Sequence, residues 1–413
     1  PKQNRHADVG KAILILQILD NMPATAENIA ALMHNDIAGE SLLQEVEAVL
    51  HDLESDDYVP VVEEGGSYRF LSEKLNEIQQ ERSRLHPRIH EMNRTLNQAV
   101  GSVFTPPPKA RVGASRTETF GLKSRIEGID HPVDGDRKEV QLIASLVQGS
   151  EYDAARSGLV QESTESDSRN TMFLIGHGSE AIQKVTEEIQ RSKAIVERHR
   201  NSPDQEVQTF CRSQDQLAQK NVDELKRLLQ SAFFDGSLIF RGSQQACNTL
   251  GTSIESATKA QFENAVERIF DKNSLADVHA QEKTSELFLQ KNLSEITSQS
   301  DPLGLVTGTG SDRNINTDHP ALVAIRDHIG VRGQVDGNSL QEFFQKPPYG
   351  WQKDTTRYLV TAMFKASAVK FKSSAQEITA PGDMALACIK TNNKFKNLIS
   401  ILNLLEVTFS TSN

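Results

Sequence analysis

Cysteine is scarce in this chain, and the scarcity argues against two kinds of architecture. The three cysteines, Cys211, Cys247 and Cys388, lie far apart and form no CxxC pair. We therefore expect neither a disulfide framework nor a cysteine-ligated zinc site, and a reducing cytoplasm fits this composition. No apolar run reaches membrane-spanning length, and the start, PKQNRHADVGK, contains no apolar signal segment. The sequence thus predicts a cytoplasmic protein without a membrane partner.

The motifs that identify an enzyme by inspection are also missing. No segment matches the GxxxxGK[ST] phosphate loop, and no lysine follows the glycines of Gly304–Gly310. His86 and His90 are four residues apart, but their order is HPRIHE rather than HExxH, so surface histidines are expected. The remaining histidines, serines and acids show no spacing that joins them into a catalytic set. We expect no catalytic residue, cofactor or metal in this chain alone.

Length and charge describe what is present. At 413 residues the chain is long enough for two to four domains, and its composition is typical of a folded protein. The formal net charge of −11 argues against a nucleic-acid footprint over the whole molecule. Residues 1–72 hold four basic against thirteen acidic residues, a net charge of −9. Most of the acidity is therefore concentrated in the first domain.

The first 72 residues show the order of a winged helix. An almost wholly apolar helix, residues 10–19, is predicted to be buried on most sides. Two further helices follow, and Tyr58–Glu63 and Ser67–Leu71 predict a hairpin around Gly65–Gly66. The usual recognition helix would be Ser41–Glu54, whose outer face is acidic and would repel phosphates. We interpret this domain as a protein-contact or packing module.

A helical and α/β region is predicted in the middle of the chain. The strand-like segments Glu118–Ile129 and Lys138–Val147 flank the turn Asp134–Gly135, which predicts a hairpin. The predicted organisation is a first winged helix (1–72), a helical connector (73–104), a proline-rich linker (105–110), an α/β domain (111–200), a helical region with a short strand and a glycine- and serine-rich loop (201–316), a second winged helix (317–379) and a tail (380–413). The fold class is accordingly mixed α+β and multidomain.

One turn in the middle region has two interpretations. The strand Met172–Ile175 passes through Gly176–His177–Gly178–Ser179 into an amphipathic helix, where helix N–H groups could hold an anion. A hydrolase or nucleotide-binding enzyme centred on this turn is therefore an alternative function. The structural interpretation is a tight strand-to-helix turn with Ser179 as N-cap, and it is preferred because no nearby lysine or GxGxxG spacing accompanies the turn.

The second winged helix is predicted from residues 336–371. Asp336 or Asn338 can cap a short helix that ends at Pro347–Pro348, because proline cannot continue a helical hydrogen-bond ladder. After Tyr349–Gly350–Trp351, a helix carries apolar residues at the spacing of a one-sided helix. Residues 369–372 then alternate as a short strand, with 376–378 as its partner. Helix, turn, helix and β-ribbon form a winged helix in this order.

Basic residues in this stretch are candidates for DNA contact. Residues 350–372 hold five basic residues against one acid, a net charge of +4 in an acidic chain. Lys353, Arg357, Thr361 and Lys365 recur every four residues and are predicted to form a polar row opposite the apolar stripe. Lys370 and Lys372 follow on the predicted wing. These six are the DNA-contact candidates, with a solvated helix face as the alternative.

The same stretch resembles a known family. The run KPPYGWQKDTTRYLVTAMFKA, followed by VKF, is similar to the C-terminal part of the large P-loop proteins of bacteriophage-exclusion (BREX) defence systems, the BrxC/PglY family. The Gly-Ser-Leu-Ile-Phe-Arg-Gly element at residues 236–242 extends the similarity. The resemblance implies a cytoplasmic antiviral defence protein whose P-loop ATPase module is missing here, so that the chain is expected to be a fragment.

The resemblance also implies a function and partners. It implies a non-catalytic adaptor segment that contacts other BREX components, and double-stranded DNA is a further expected partner. ATP and magnesium would bind in the missing module, and oligomerisation would also pass through that module. A winged-helix transcriptional regulator is the third interpretation; it requires a basic recognition surface and a dimer face.

Overall fold

The computed structural model describes residues 2–19, 21–34, 40–55, 59–114, 116–373, 376–396 and 398–401. Tyr58 of the predicted hairpin, the acids Asp20, Asp36, Asp56 and Asp57, and the tail after Ile401 lie outside these ranges. The helices are α1 (Lys2–Ile18), α2 (Ala26–Leu32), α3 (Leu43–Ser55), α4 (Glu73–Ser83), α5 (Ile89–Val103), α6 (Tyr152–Glu162), α7 (Glu180–His199), α8 (Gln205–Phe234), α9 (Cys247–Leu250), α10 (Ile254–Ile269), α11 (Thr284–Gln290), α12 (Pro320–Arg332), α13 (Gly337–Gln345), α14 (Lys353–Lys365) and α15 (Asp383–Ile389). The strands are β1 (Val61–Glu64), β2 (Ser67–Phe70), β3 (Lys109–Val112), β4 (Arg116–Thr119), β5 (Gly121–Ile126), β6 (Ile129–Asp134), β7 (Gln141–Gln148), β8 (Thr171–Gly178), β9 (Ser237–Phe240), β10 (Ser243–Ala246), β11 (Val306–Thr307), β12 (Asn314–Ile315), β13 (Gln334–Asp336), β14 (Val369–Ser373), β15 (Gln376–Ile378) and β16 (Leu398–Ile401).

The chain folds into two compact units that are not contiguous in sequence. Pro1–Leu96 groups with Glu180–Arg227, and Asn97–Ser179 groups with Leu228–Asn413. The predicted boundaries at 111 and 201 differ from this division. The reason is a long-range core: Leu75 and Ile78 of α4 pack with Ile195 of α7 and Val207 of α8. Such contacts leave no local signal in the sequence.

Three helices and a hairpin open the first unit in the predicted order. Val9, Ile13 and Leu16 of α1 are buried against α2 and α3. Thr25 accepts a hydrogen bond from Asn28 N–H and so caps α2, and β1 pairs with β2 around Gly65–Gly66. The expectation that α1 is buried on most sides is wrong, because its opposite face is open to solvent. The assignment of this domain to the winged-helix class stays a prediction.

A polar cluster joins the remaining helices of the first unit. Arg82 of α4 donates from Nη2 to Glu188 Oε2 at 2.6 Å and to Ser192 Oγ at 3.1 Å. Its Nε donates to Gln214 Oε1 on α8 at 2.8 Å. Because the Arg82 side chain is only 11% exposed, these charge-assisted bonds are stronger than a surface ion pair would be. Arg82 thus fixes α4 against α7 and α8.

A six-stranded sheet forms the first part of the second unit, in the order β10-β9-β8-β7-β5-β6. Strands β5, β7 and β8 are parallel, and the outer strands pair antiparallel. The predicted hairpin between 118–129 and 138–147 is therefore wrong, since β5 pairs parallel with β7 and its hairpin partner is β6. The two turn residues between β5 and β6, Glu127 and Gly128, have φ of 51° and 79°, as a tight two-residue hairpin turn requires.

The second unit ends in a helical cluster with a small sheet. Asp336 Oδ1 accepts a hydrogen bond from Ser339 N–H and caps α13, as predicted. Strands β14 and β15 pair antiparallel, which confirms the predicted ribbon. The sheet has the order β13-β16-β14-β15, so residues 398–401 lie at its centre. The boundary predicted at 379 is therefore placed too early: the strand formed by residues 398–401 completes the domain from beyond the predicted wing.

The fold is thus mixed α+β, as predicted, with its largest apolar core around α12, α13 and α14. Within the residues that the structure describes, no helix combines the length and the hydropathy needed to cross a membrane.

Candidate nucleic-acid interface

Helix α14 carries four of the six predicted DNA contacts, and it lies in the interior. All ten residues from Thr355 to Phe364 are buried. Its neighbours are α11, where Phe288 meets Tyr358 edge-on at 5.5 Å between ring centroids, and β14, where Phe371 stacks on Phe364 at 4.3 Å. A helix enclosed on several sides cannot enter a DNA groove without losing these contacts.

The Pro-Pro-Tyr-Gly-Trp segment positions the start of α14. Trp351 is buried, stacks on Phe344 at 4.8 Å and donates from Nε1 to the Asn273 carbonyl at 3.3 Å. Gly350 has φ of 67°, and an added Cβ would lie 2.7 Å from Phe270 Cδ1, so only glycine fits there. The segment therefore acts in packing and turn formation.

Arg357 is fully buried beneath the segment that precedes α11. Its Nη2 donates to the Glu282 carbonyl at 2.6 Å and to Asp354 Oδ1 at 2.7 Å. Its Nε and Nη1 have no hydrogen-bond partner among the described residues. Burial lowers the pKa of this guanidinium, and Asp354 partly opposes the shift. The Arg357 guanidinium thus interacts with groups inside the protein and is not available to a DNA phosphate.

The next member of the row, Thr361, is also fully buried, and its hydroxyl donates to the Arg357 carbonyl at 2.8 Å. Lys353, in the first turn, is half-buried, and its carbonyl accepts a hydrogen bond from Gln341 Nε2 at 3.0 Å. Thr361 is uncharged and buried, and Lys353 is only partly exposed. The two residues therefore do not form part of a continuous exposed basic row.

Lys365 closes the C-terminal end of α11. Its ammonium donates to the carbonyls of Phe288 at 2.9 Å and Leu289 at 3.2 Å, and also to that of Lys291. These carbonyls belong to the last turn of α11, where backbone acceptors lack helical partners and a cation is favourable. Burial lowers the pKa of Lys365, and the nearby Glu295 opposes this shift. The lysine therefore caps a neighbouring helix.

The prediction of a solvent-facing row Lys353–Arg357–Thr361–Lys365 is thus wrong. The four-residue spacing correctly places these side chains on one face of α14. That face is covered by α11 and the residues before it, whose backbone carbonyls accept from Arg357 and Lys365. Periodicity within one helix cannot reveal a second helix that supplies its hydrogen-bond partners from the backbone.

The two wing lysines remain accessible. Lys370 is half-buried and forms an ion pair with Glu377 across the ribbon, with Nζ 2.8 Å from Oε1. Lys372 is half-buried, and the described residues offer it no ion-pair partner. Lys370 and Lys372, together with the equally half-buried Lys353 of α14, are the members of the predicted set that can still reach a phosphate, and their contact with DNA stays a prediction.

A polar network at the start of α14 was not predicted. Gln341 of α13, which is fully buried, donates to Asn392 Oδ1 at 2.7 Å, and Asn392 donates to Asp354 Oδ1 at 3.0 Å. Asp354 in turn accepts from Arg357. The network connects α13, α14 and the turn after α15, and no local sequence signal identifies it, because each member is an ordinary polar residue in its own element.

The turn predicted at Gly176–Ser179 is mostly strand: β8 continues to Gly178, and residues 176–178 pair with β7. An added Cβ on Gly176 would lie 2.7 Å from Phe233 Cδ1 and 2.9 Å from the Ala232 carbonyl. The exposed ring of His177 stacks on Tyr152 at 3.9 Å between centroids. These contacts favour the structural interpretation of the turn over an enzymatic one.

Two cavities lie in the second unit, and one of them borders the end of β8, because its lining residues Val147 and Gln148 pair with His177 and Gly178. One, of about 710 Å³, lies at the carboxyl ends of β5 and β7 and contains Arg125. Its guanidinium donates hydrogen bonds to Glu162 and Asp130, which raise the pKa of Arg125, so its charge is already matched. The other, of about 780 Å³, lies between β3 and α10. The described residues contain no cluster of three or more histidine, cysteine or acidic side chains that could hold a metal.

Comparison with known proteins identifies the C-terminal domain. Residues 286–401 match the family model of the winged helix-turn-helix domain of the BREX ATP-binding protein BrxC. Comparison with curated proteins gave no match, and comparison with solved structures gave none either. The matched range contains α11 after its first two residues together with α12–α15 and β13–β16. The helix that covers α14 thus lies within the matched domain, and residues 286–401 are similar to the winged helix-turn-helix domain of BrxC.

Proposed function

We propose that this chain is a non-catalytic adaptor segment of a BREX defence ATPase, which binds other BREX proteins and does not read DNA with α14. The burial of α14 carries this proposal. In a winged helix the helix before the wing is the usual reader of a DNA groove. Here that helix is enclosed, so the domain has outer surfaces available for protein contact and only a narrow wing available for phosphates.

Helix α11, which covers α14, is packed too tightly against it to open and close as a lid. Removing α11 would expose Phe288, Leu289 and Tyr358, which are at most 4% exposed. Each buried side chain of this size contributes about 1.5–3 kcal/mol, so the total approaches the stability of a whole domain. It would also leave the charges of Arg357 and Lys365 without their carbonyl partners. We therefore treat α11 as a permanent part of the domain.

The ATP site is proposed to lie in another part of the parent protein. The chain has no phosphate loop, and ATP with magnesium is accordingly assigned to the P-loop module of the family. The first domain, with its acidic α3, is proposed to be a second winged helix that contacts protein. Its exposed Glu47 and Glu54 would repel a DNA backbone.

The adaptor role is tested with purified components. Each protein of the same BREX system is mixed with this chain, and complex formation is followed by size-exclusion chromatography with light scattering. A stoichiometric complex with at least one of them is expected. Absence of any complex, with the chain folded by circular dichroism, would overturn the proposal.

The DNA part is tested separately by fluorescence anisotropy with a labelled duplex. Lys370→Glu with Lys372→Glu is compared with Lys193→Glu plus Lys220→Glu, two exposed lysines of the first unit that give the same change in net charge. If the wing contacts DNA, the wing variant weakens binding more than the control, and the salt slope falls by about 0.9 for each lost phosphate contact. Equal behaviour of the two variants would assign the domain to protein contact alone.

A further inference from the structure

An apolar surface lies on the open side of α1 and on the turn after it. Leu14, Ile15 and Ile18 of α1, with Leu19 and Met22, are between 47% and 79% exposed. In the described residues ten large apolar side chains are exposed, and these five fall within nine consecutive positions. We call this surface the α1 stripe. A concentration of this kind differs from the single exposed apolar residues that every protein surface carries.

The spacing of the α1 stripe suits a helix as partner. Leu14, Ile15 and Ile18 follow the i, i+1, i+4 pattern of one helical face, and the stripe continues through Leu19 to Met22. The opposite face, with Val9, Ile13 and Leu16, is already packed in the core of the domain. Helix α1 is therefore apolar on two sides, and among the described residues only one of these sides has apolar packing partners. A convex ridge of this kind pairs with the ridges and grooves of another helix.

Acidic side chains lie near one end of the α1 stripe. Two residues after Met22, the Ala24 carbonyl accepts a hydrogen bond from Tyr68 N–H. Burial, and then the charges of Glu54, Glu63 and Glu47, raise the pKa of the Tyr68 hydroxyl. The end of the stripe at Met22 is therefore close to a strand that lies in a negative field.

We propose that the α1 stripe is the docking site for an amphipathic helix of another protein, apolar on one face and rich in lysine or arginine at its flank. The inference rests on the proposed adaptor function and names the chemistry of its partner. Burial of the stripe drives association, and the net charge of −9 over residues 1–72 selects a basic flank. The same charge argues against a second copy of this chain as the occupant, because two such domains would repel each other.

A defined probe tests the stripe without knowledge of the natural partner. The probe is a short fluorescein-labelled helical peptide of leucine and lysine, with all leucines on one face, and a matched peptide has glutamate in place of lysine. Ile15→Ser with Ile18→Ser removes apolar surface without a charge change. Val331→Ser with Ile129→Ser is the control, at sites that are 87% and 62% exposed. Because all four side chains are exposed, the melting temperatures of both variants should stay close to that of the original protein.

The lysine peptide should bind the original protein and the control alike and should bind the stripe variant at least about tenfold more weakly. The glutamate peptide should not bind. Equal binding of the lysine peptide to the stripe variant would overturn the proposal, as would equal binding of both peptides. A dimer of the original protein that dissociates in the stripe variant would also overturn it, since the occupant would then be a second copy.

The same variant separates this proposal from the adaptor function. Loss of the peptide together with loss of a BREX complex supports the stripe as the adaptor's contact. Loss of the peptide with an intact BREX complex overturns that assignment and leaves the adaptor function standing. If no BREX complex forms even with the original protein, the adaptor function fails, and the peptide measurements alone decide whether the stripe binds a basic helix.

Discussion

At the scale of single residues, the most informative side chains are polar groups in apolar surroundings. Arg357 is buried with two donors that lack partners among the described residues, and Gln341 and Thr361 are buried beside it. A buried charge is costly unless its geometry is well matched, and removing one partner costs more than the pair contributes. These residues therefore fix the position of α14 rather than contact a ligand. The sequence shows a basic row in either case, so only the structure distinguishes the two roles.

The buried ring of His328 leads to a prediction about how the free energy of unfolding depends on pH. Burial, followed by the charge of Arg332, lowers the pKa of this ring from 6.5 to about 4. The geometry agrees, because Arg332 Nη1 lies 3.1 Å from His328 Nδ1 and can donate to it when the ring is neutral. Between these pH values the unfolded chain takes up a proton that the folded protein does not. The free energy of unfolding should therefore fall as the pH falls from 6.5 to 4.

The size of this effect follows from the shift. At about 1.4 kcal/mol per pKa unit, the loss attributable to His328 is about 2–3 kcal/mol. Urea unfolding of the original protein and of His328→Gln is measured between pH 7 and about 4. The variant should show a smaller loss over this range, since the carboxylates that also titrate are present in both proteins. Parallel profiles for the two proteins would show that His328 does not carry the effect.

At the scale of helices and strands, sequence patterns correctly predicted the features that depend on interactions between nearby residues. The cap of α13 and the β14–β15 ribbon were predicted correctly, because each depends on residues only a few positions apart. The strand that pairs with β5 was predicted incorrectly. A parallel neighbour is not joined to β5 by a tight turn, so no turn residues mark it, and the Asp134–Gly135 sequence suggested a hairpin instead. The central strand at residues 398–401 was missed for the same reason. Its partners lie more than twenty residues away.

A glycine pair provides the prediction at this scale. Gly176→Ala should destabilise the protein by about 1–3 kcal/mol, because its Cβ would be 2.7 Å from the Phe233 ring and the backbone there cannot yield easily. Gly158→Ala is the matched control within α6, where no atom lies within 4 Å of an added Cβ. It should stabilise by about 0.5–1 kcal/mol, since alanine favours helix. Urea unfolding measures both changes, and a Gly176→Ala variant as stable as the original protein would contradict the close packing inferred at this position of β8.

At the scale of the whole molecule, the sequence predicted the resemblance to the BREX BrxC protein and the mixed α+β class, but not how distant segments group into compact units. The family resemblance was confirmed over residues 286–401, where the matched domain contains the Pro-Pro-Tyr-Gly-Trp segment. The two compact units combine distant segments, because α4 finds its apolar partners on α7 and α8. Apolar periodicity identifies the face that each helix buries. It does not identify the partner.

Charge is also a property of the whole molecule, and it leads to the last prediction. Glu47→Lys with Glu54→Lys, both on the exposed face of α3, changes the net charge from −11 to −7. Glu263→Lys with Glu267→Lys on α10 makes the same change in the other unit. At about 0.01 M salt the Debye length is about 30 Å, so both pairs should raise duplex affinity by similar factors in fluorescence anisotropy. At about 0.15 M salt, with a Debye length near 8 Å, both gains should nearly vanish. Two outcomes would contradict this expectation: a gain in affinity that persists at the higher salt for the α3 pair alone, or a loss of affinity for that pair. Either outcome would show that α3 itself faces the DNA. The first domain would then not be reserved for protein contact.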